Sequence, residues 1–145
     1  MSQDWDYPQP FILHQRVEVE HLDAMQHTNN VVYLRWVEDL AWAHSHALGL
    51  SFDDYRRLGV GVVARRHEID YLAPTVLADE LELATWITLR DRLSMHRQYQ
   101  FRRVHDGLTV LRARTHWVCV DMHHGRPRRM PEAFVQAYRT VDELS

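Results

Sequence analysis

The change of period at Tyr33 constrains this chain more than any other feature. Before it, Phe11, Leu13, Val17 and Val19 alternate with His14, Arg16, Glu18 and Glu20, the period-two signature of a half-buried strand. After it, Tyr33, Trp36, Val37, Leu40, Ala41, His44 and Ala47 fall at i, i+3, i+4, i+7 spacing, one face of a helix that Gly49 can stop. A short helix is predicted over Phe52–Leu58, ended by Gly59. From there the chain reads as strand: Val60–Tyr71, closed by Pro74; then Leu81–Leu89; then Met95–His105; then, past the turn His105-Asp106-Gly107, Leu108–Asp121. HHGRPRRMP is a basic loop, and Glu132–Arg139 is predicted as a terminal helix. Residues 1–10, with Pro8 and Pro10, read as a loose lead-in to a core over about residues 11–138. One apolar helical stripe must be buried, and hairpin-connected strands are what can bury it. The expected class is α+β, a five-stranded antiparallel sheet wrapped around one long central helix in a single domain.

Composition narrows the functions. A chain of 145 residues, 46% hydrophobic and 26% charged, suits one globular domain with a real core. A net charge of −3 with no basic stripe argues against a nucleic-acid partner. All 17 basic residues are arginine, which is read as codon usage. The single Cys119 excludes an internal disulfide framework and fits a reducing compartment, so a cytoplasmic location is expected. No apolar run reaches membrane-spanning length, and MSQDWDYPQP lacks the basic and apolar regions of a signal peptide.

Asp23, His27, Asn29 and Asn30 crowd the few residues before the helix. A carboxylate can attack an activated carbonyl, or activate water against it, where something polarises that carbonyl. The first free N–H groups of a helix supply a fixed positive field for a developing oxyanion. Each residue also has a structural reading: Asp23 an Asx turn, Asn29 an N-cap, His27 a structural hydrogen bond. Tyr33 and Trp36 sit at core spacing. Glu38 can pair with Arg35 or Arg65 on a solvated edge. Cys119, on a strand with Trp117, reads as a buried, inert thiol. The 11 histidines form no pattern of metal-ligand spacing, so no metal and no other cofactor is expected.

The run Asp23-Ala24-Met25-Gln26-His27-Thr28-Asn29-Asn30, followed by Tyr33 and Glu38, resembles the signature of the hydroxybenzoyl-CoA thioesterase-like branch of hotdog-fold acyl-CoA thioesterases. Ile69-Asp70-Tyr71-Leu72-Ala73-Pro74 is similar to that family's second-strand ending. Val120-Asp121, Gly125-Arg126-Pro127 and Met130-Pro131 are similar to its last strand and C-terminal loop. The resemblance covers roughly residues 11–138, and Gln26 and Thr28 depart from the family's usual Gly and Val. It implies a hotdog fold, acyl-CoA hydrolysis with Asp23 as the catalytic carboxylate, and the backbone N–H at about Asn30 as oxyanion donor. It further implies an Arg92/Ser94 pair at the nucleotide end of CoA, and a homodimer or homotetramer whose sites use two subunits. Arg126, Arg128 and Arg129 form a second cluster suited to CoA phosphates. His27 and Asn29 are carried as site candidates. Two alternatives stay open: a hotdog hydratase or dehydratase, against which the separation of three residues between Asp23 and His27 and the lack of a Pro between Asp23 and Asn30 argue, and a non-catalytic binder of acyl-CoA or acyl-carrier protein.

Overall fold

A computed structural model describes residues 5–145; residues 1–4 of the expected lead-in lie outside the described residues. The order is β1 (Phe11–Arg16), a 3-10 turn (Val19–His21), α1 (Asn30–Ala47), α2 (Phe52–Leu58), β2 (Val60–Tyr71), β3 (Glu80–Arg90), β4 (Ser94–Arg103), β5 (Thr109–Asp121), α3 (Glu132–Ala137) and α4 (Val141–Leu144). The strands form one antiparallel sheet in the order β1-β3-β4-β5-β2, with β1 and β2 as its edges. This is the hotdog fold that the resemblance implies.

The inner face of the sheet is the core. Leu13, Leu83, Phe101 and Leu111 align across four strands in one apolar row. Tyr33, Trp36, Val37, Leu40 and Ala41 of α1 are buried in the same cluster. The helix leans toward β1 and β3. At its far end Phe134 and Tyr138 are both fully buried. The Tyr138 hydroxyl hydrogen-bonds Ser45 (2.7 Å) and also Tyr55, tying α3 to α1 and α2.

Three expectations need correction. The first strand ends at Arg16, not beyond Val19, because Gln15 breaks the apolar alternation; Val17 turns fully inward and Val19 is 70% exposed. The Glu18 N–H donates to His21 Nδ1 (2.9 Å), which helps to fix the turn. The last turn of α1 buries Ser45 and leaves Ala47 exposed. The lead-in is not loose over residues 5–10. Trp5 and Tyr7 pack edge-on against Trp86, whose indole N–H donates to the Pro8 carbonyl (3.0 Å), and Asp6 pairs with Arg112 (2.7 Å).

The loop from β1 into α1 closes on itself. Asp23 N–H donates to the His27 carbonyl (2.8 Å) and Gln26 N–H to the Asp23 carbonyl (3.0 Å). That closure puts Gln26 at φ +65°, the left-handed region that a glycine would occupy without steric cost. The departure from Gly at this position is therefore accommodated as strain and not by a different loop path. We expect Gln26→Gly to stabilise the fold by about 1 kcal/mol, the relief of the left-handed side chain outweighing the added unfolded-state entropy. Urea unfolding measures this; an unchanged or lower midpoint would show that the loop carries no such strain.

Candidate active site

Asp23, His27 and Asn30 come together, with Thr28, Tyr33, Tyr71 and Pro74, around a pocket of about 270 Å³ at the N-terminus of α1. Asp23 does form the Asx turn: its Oδ1 accepts from the N–H groups of Met25 (2.8 Å) and His27 (3.3 Å). Both bonds use the same oxygen. Among the described residues Oδ2 accepts no hydrogen bond, so the turn positions the carboxylate and leaves one oxygen for chemistry. The structural and chemical readings of Asp23 are thus compatible.

The helix end is built as its cap chemistry demands. Asn29 has extended backbone, and its side-chain oxygen accepts from Val31 N–H (2.9 Å), so Asn29 is the N-cap. Its carbonyl accepts from Val32 N–H (2.9 Å) and more weakly from Tyr33 N–H (3.4 Å). Asn30 N–H has no acceptor among the described residues and lies at the pocket, one of the donors a helix leaves unsatisfied in its first turn. The Asn30 carbonyl accepts from the Tyr71 hydroxyl (3.3 Å), which joins the end of β2 to the start of α1.

A buried hydroxyl chain that the sequence reading missed holds this end in place. Thr28 Oγ1 and Thr75 Oγ1 hydrogen-bond at 2.6 Å, and the Tyr33 hydroxyl bonds Thr75 Oγ1 at 2.7 Å. Thr28 N–H also donates to the Thr75 carbonyl (2.9 Å). Burial raises the Tyr33 pKa, so the phenol stays a neutral member of the chain. Thr28, where the family usually has Val, is therefore matched by Thr75, a partner 47 residues away. Only that separation hid it, since nothing local distinguishes Thr28 among the polar residues before the helix.

The other sequence candidates lie elsewhere. Arg92 and Ser94 line an open basin of about 720 Å³ with Arg65, Asp91, His116 and Arg129. Of the cluster Arg126, Arg128 and Arg129, only Arg129 lines it, joined by Arg65; Arg126 and Arg128 are exposed outside it. Among the described residues Arg65, Arg92 and Arg129 have no ion-pair partner. Ser94 is already engaged, its hydroxyl donating to both Asp91 oxygens (3.1 Å each) in a turn whose N–H groups, Leu93 first, lower the Asp91 pKa. The basin includes His116 and Val118, which alternate along β5 with the inward Trp117; it opens on the outer face of the sheet, away from the helix. Glu38 faces neither Arg35 nor Arg65 but His67, at 3.8 Å. Cys119 is fully buried, and burial pushes its thiol up to about 11, as expected of an inert side chain. Among the described residues no three His, Cys, Asp or Glu side chains gather in a group that could hold a metal.

Comparison with known proteins places this architecture. The chain is similar to protein THEM6 of Danio rerio, 32% identical over 96 residues, 66% of this chain and 47% of that protein, so it spans about half the length of this relative. It superimposes on a 1,4-dihydroxy-2-naphthoyl-CoA thioesterase from Synechocystis with a TM-score of 0.82 at 18% identity, over 90% of this chain and 96% of that one. It also superimposes on a Staphylococcus aureus protein solved in complex with CoA, TM-score 0.84 at 20% identity, over 93% and 85% of the two chains. At such identities these two likenesses speak for the fold. The model of the thioesterase-like superfamily matches residues 17–138, from the inward turn of Val17 to the buried Tyr138 that closes the core, and the chain belongs to that superfamily.

Proposed function

We propose that this chain hydrolyses acyl-CoA thioesters at the N-terminus of α1. The observation that carries the reading is the meeting, in one pocket, of a carboxylate with one unengaged oxygen and a helix-end N–H without an acceptor. The thioester carbonyl oxygen accepts from Asn30 N–H, in the field of the helix end. Asp23 Oδ2 removes a proton from the water that attacks the carbonyl carbon, or attacks that carbon itself to give a mixed anhydride that water then cleaves; by either route the CoA thiolate leaves and the acid is released. Asn29 serves by capping the helix and keeping the Asn30 amide aimed. His27, on the pocket wall, shapes the site. A 1,4-dihydroxy-2-naphthoyl-CoA thioesterase of this fold, and another protein of this fold solved in complex with CoA, support the choice of thioester and carrier.

The cationic basin around Arg65, Arg92 and Arg129 is the candidate site for the CoA phosphates, since guanidinium groups bind phosphate through paired donors. It lies on the opposite face of the sheet from the helix-end pocket. One substrate molecule reaches both most simply if the basin belongs to a second copy. β2, a free edge of 12 residues, offers the row of unpaired backbone groups through which two sheets can join. The active species is therefore a homodimer or a higher assembly of dimers.

Three measurements test this reading. Asp23→Asn keeps folding, assembly and substrate binding, while acyl-CoA turnover followed with a thiol-reactive dye falls by roughly a hundredfold or more; turnover near the parent rate would make Asp23 a turn residue only. Arg92→Glu with Arg129→Glu raises KM for acyl-CoA by about tenfold, the scale of a lost charge-assisted hydrogen bond, and changes pantetheine thioesters much less. Equal losses on both substrates would assign the arginines to the fold. Sedimentation at micromolar concentration should give a dimer or larger species; a fully active monomer would overturn the two-copy site.

A further inference from the structure

The interior holds one charged group that neither the core nor the helix-end pocket uses. Arg97 projects from β4 onto the inner face of the sheet, where it is 1% exposed, in a row with His67, Thr115 and Ile87. A buried cation ordinarily has a carboxylate partner. Among the described residues Arg97 has none. Its Nη1 donates to His44 Nδ1 (2.7 Å) and to Thr85 Oγ1 (3.3 Å). Both acceptors are neutral, since burial, and then the charge of Arg97 itself, bring the His44 pKa down to about 3.

Arg97 Nε–H has no acceptor. Two other buried polar groups nearby are also without a hydrogen-bond partner, the Tyr99 hydroxyl and the Trp117 indole N–H. Arg97 and Trp117 line a cavity of about 500 Å³ between α1 and β2, where Ala41, Val62 and Met95 supply apolar wall and Ser45, Tyr55 and His67 polar wall. Tyr99 lies two residues along β4 from Arg97, on the same face but behind the cavity lining; burial raises the pKa of its hydroxyl, and Arg97, Thr115 and Trp117 oppose that rise. Glu38, the one acid lining the cavity, is turned to His67 (3.8 Å) and is half-exposed. Two buried donors without acceptors on the cavity wall, one of them cationic, with apolar side chains beside them, are chemically matched to an anion carried on an apolar body.

We propose that this cavity receives the far end of the acyl group and that the group it recognises there is a carboxylate: the preferred substrates are CoA thioesters of dicarboxylic acids, with the free carboxylate on Arg97 and Trp117. The proposal rests on the helix end being the seat of the thioester carbonyl. Two rulers then give the span of the acyl chain. Along α1, Asn30 to Glu38 is about 12 Å at the helical rise. Along β2, Tyr71 to His67 is about 13 Å at the strand rise. The two agree, and they fit an extended chain of medium length better than a single aromatic ring. Ile69, packed against the core, is the inward residue of β2 between the two ends.

Calorimetry with two non-hydrolysable thioethers tests this: an S-alkyl-CoA with a ten-carbon chain, and its counterpart of equal length ending in a carboxylate. The carboxylated analogue should bind the parent protein at least tenfold more tightly. Arg97→Met should abolish that preference and leave the plain alkyl analogue bound as before. Trp117→Phe, which keeps an aromatic ring and removes one donor, should reduce the preference severalfold, and it carries the test if Arg97→Met does not fold. Equal affinity for the two analogues in the parent, or a preference untouched by both substitutions, overturns the proposal. Turnover of the corresponding esters is read separately. Hydrolysis without any carboxylate preference sinks the dicarboxylate assignment and leaves the thioesterase reading standing. Arg97-dependent binding with no turnover of either ester does the reverse.

Discussion

One helix has to cover the inner faces of five strands, and most of the structure follows from how incompletely it does so. An α-helix with its side chains is about 10–12 Å across, and five strands at their usual spacing are about twice as wide. The sheet must therefore curl, and the helix must choose a side. Here α1 sits toward β1 and β3, where Tyr33, Trp36 and Leu40 meet the row Leu13, Leu83, Phe101 and Leu111. α3 closes one remaining end with Phe134 and Tyr138. The seam between α1 and β2 is left underfilled, and both the helix-end pocket and the Arg97 cavity lie along it.

Polar groups inside this core are handled in two ways. The Thr28–Thr75–Tyr33 chain is satisfied internally: each hydroxyl has a partner, no charge is involved, and the result pins the β2–β3 connection under the first turn of α1. A satisfied network of this kind rigidifies the groups around it. Positioning Asp23 and the Asn30 amide to within hydrogen-bonding tolerance needs that rigidity, because the loop that carries them is itself short of apolar anchors. The group around Arg97 is the opposite case. It carries charge and unmet donors into the interior with neutral acceptors only, an arrangement that costs stability unless something else completes it.

The outer face of the sheet is polar, with Arg112 paired to Asp6 and Arg114 to Glu68. Against those matched pairs, the unpaired arginines of the basin stand out as available charge and not as a solvated surface in balance. The same sheet thus presents an apolar inner face and a basic patch on its outer face. A backbone one strand thick separates the two chemistries.

Much of this was legible in the residues. The period change at Tyr33, the Phe52–Leu58 helix with Gly59 as its stop, the Val60–Tyr71 strand and the Asn29 cap are local facts, set by side-chain spacing and backbone preference, and the structure has them where the sequence places them. The gathering of Asp23, His27 and Asn30 was legible for the same reason, since all three belong to one short loop. What the sequence did not contain are pairings between distant residues. Thr75 becomes a site residue only because it meets Thr28, and Tyr71 only because β2 ends beside Asn30. Arg65 joins Arg92 and Arg129 at the basin, and Arg126 and Arg128 do not, because strand register and loop path decide which guanidinium groups converge. Arg97 reads in the sequence as one arginine among 17 on an alternating strand. That it points inward, into an underfilled seam and without a carboxylate, depends on which face the helix covers, and only tertiary packing decides that.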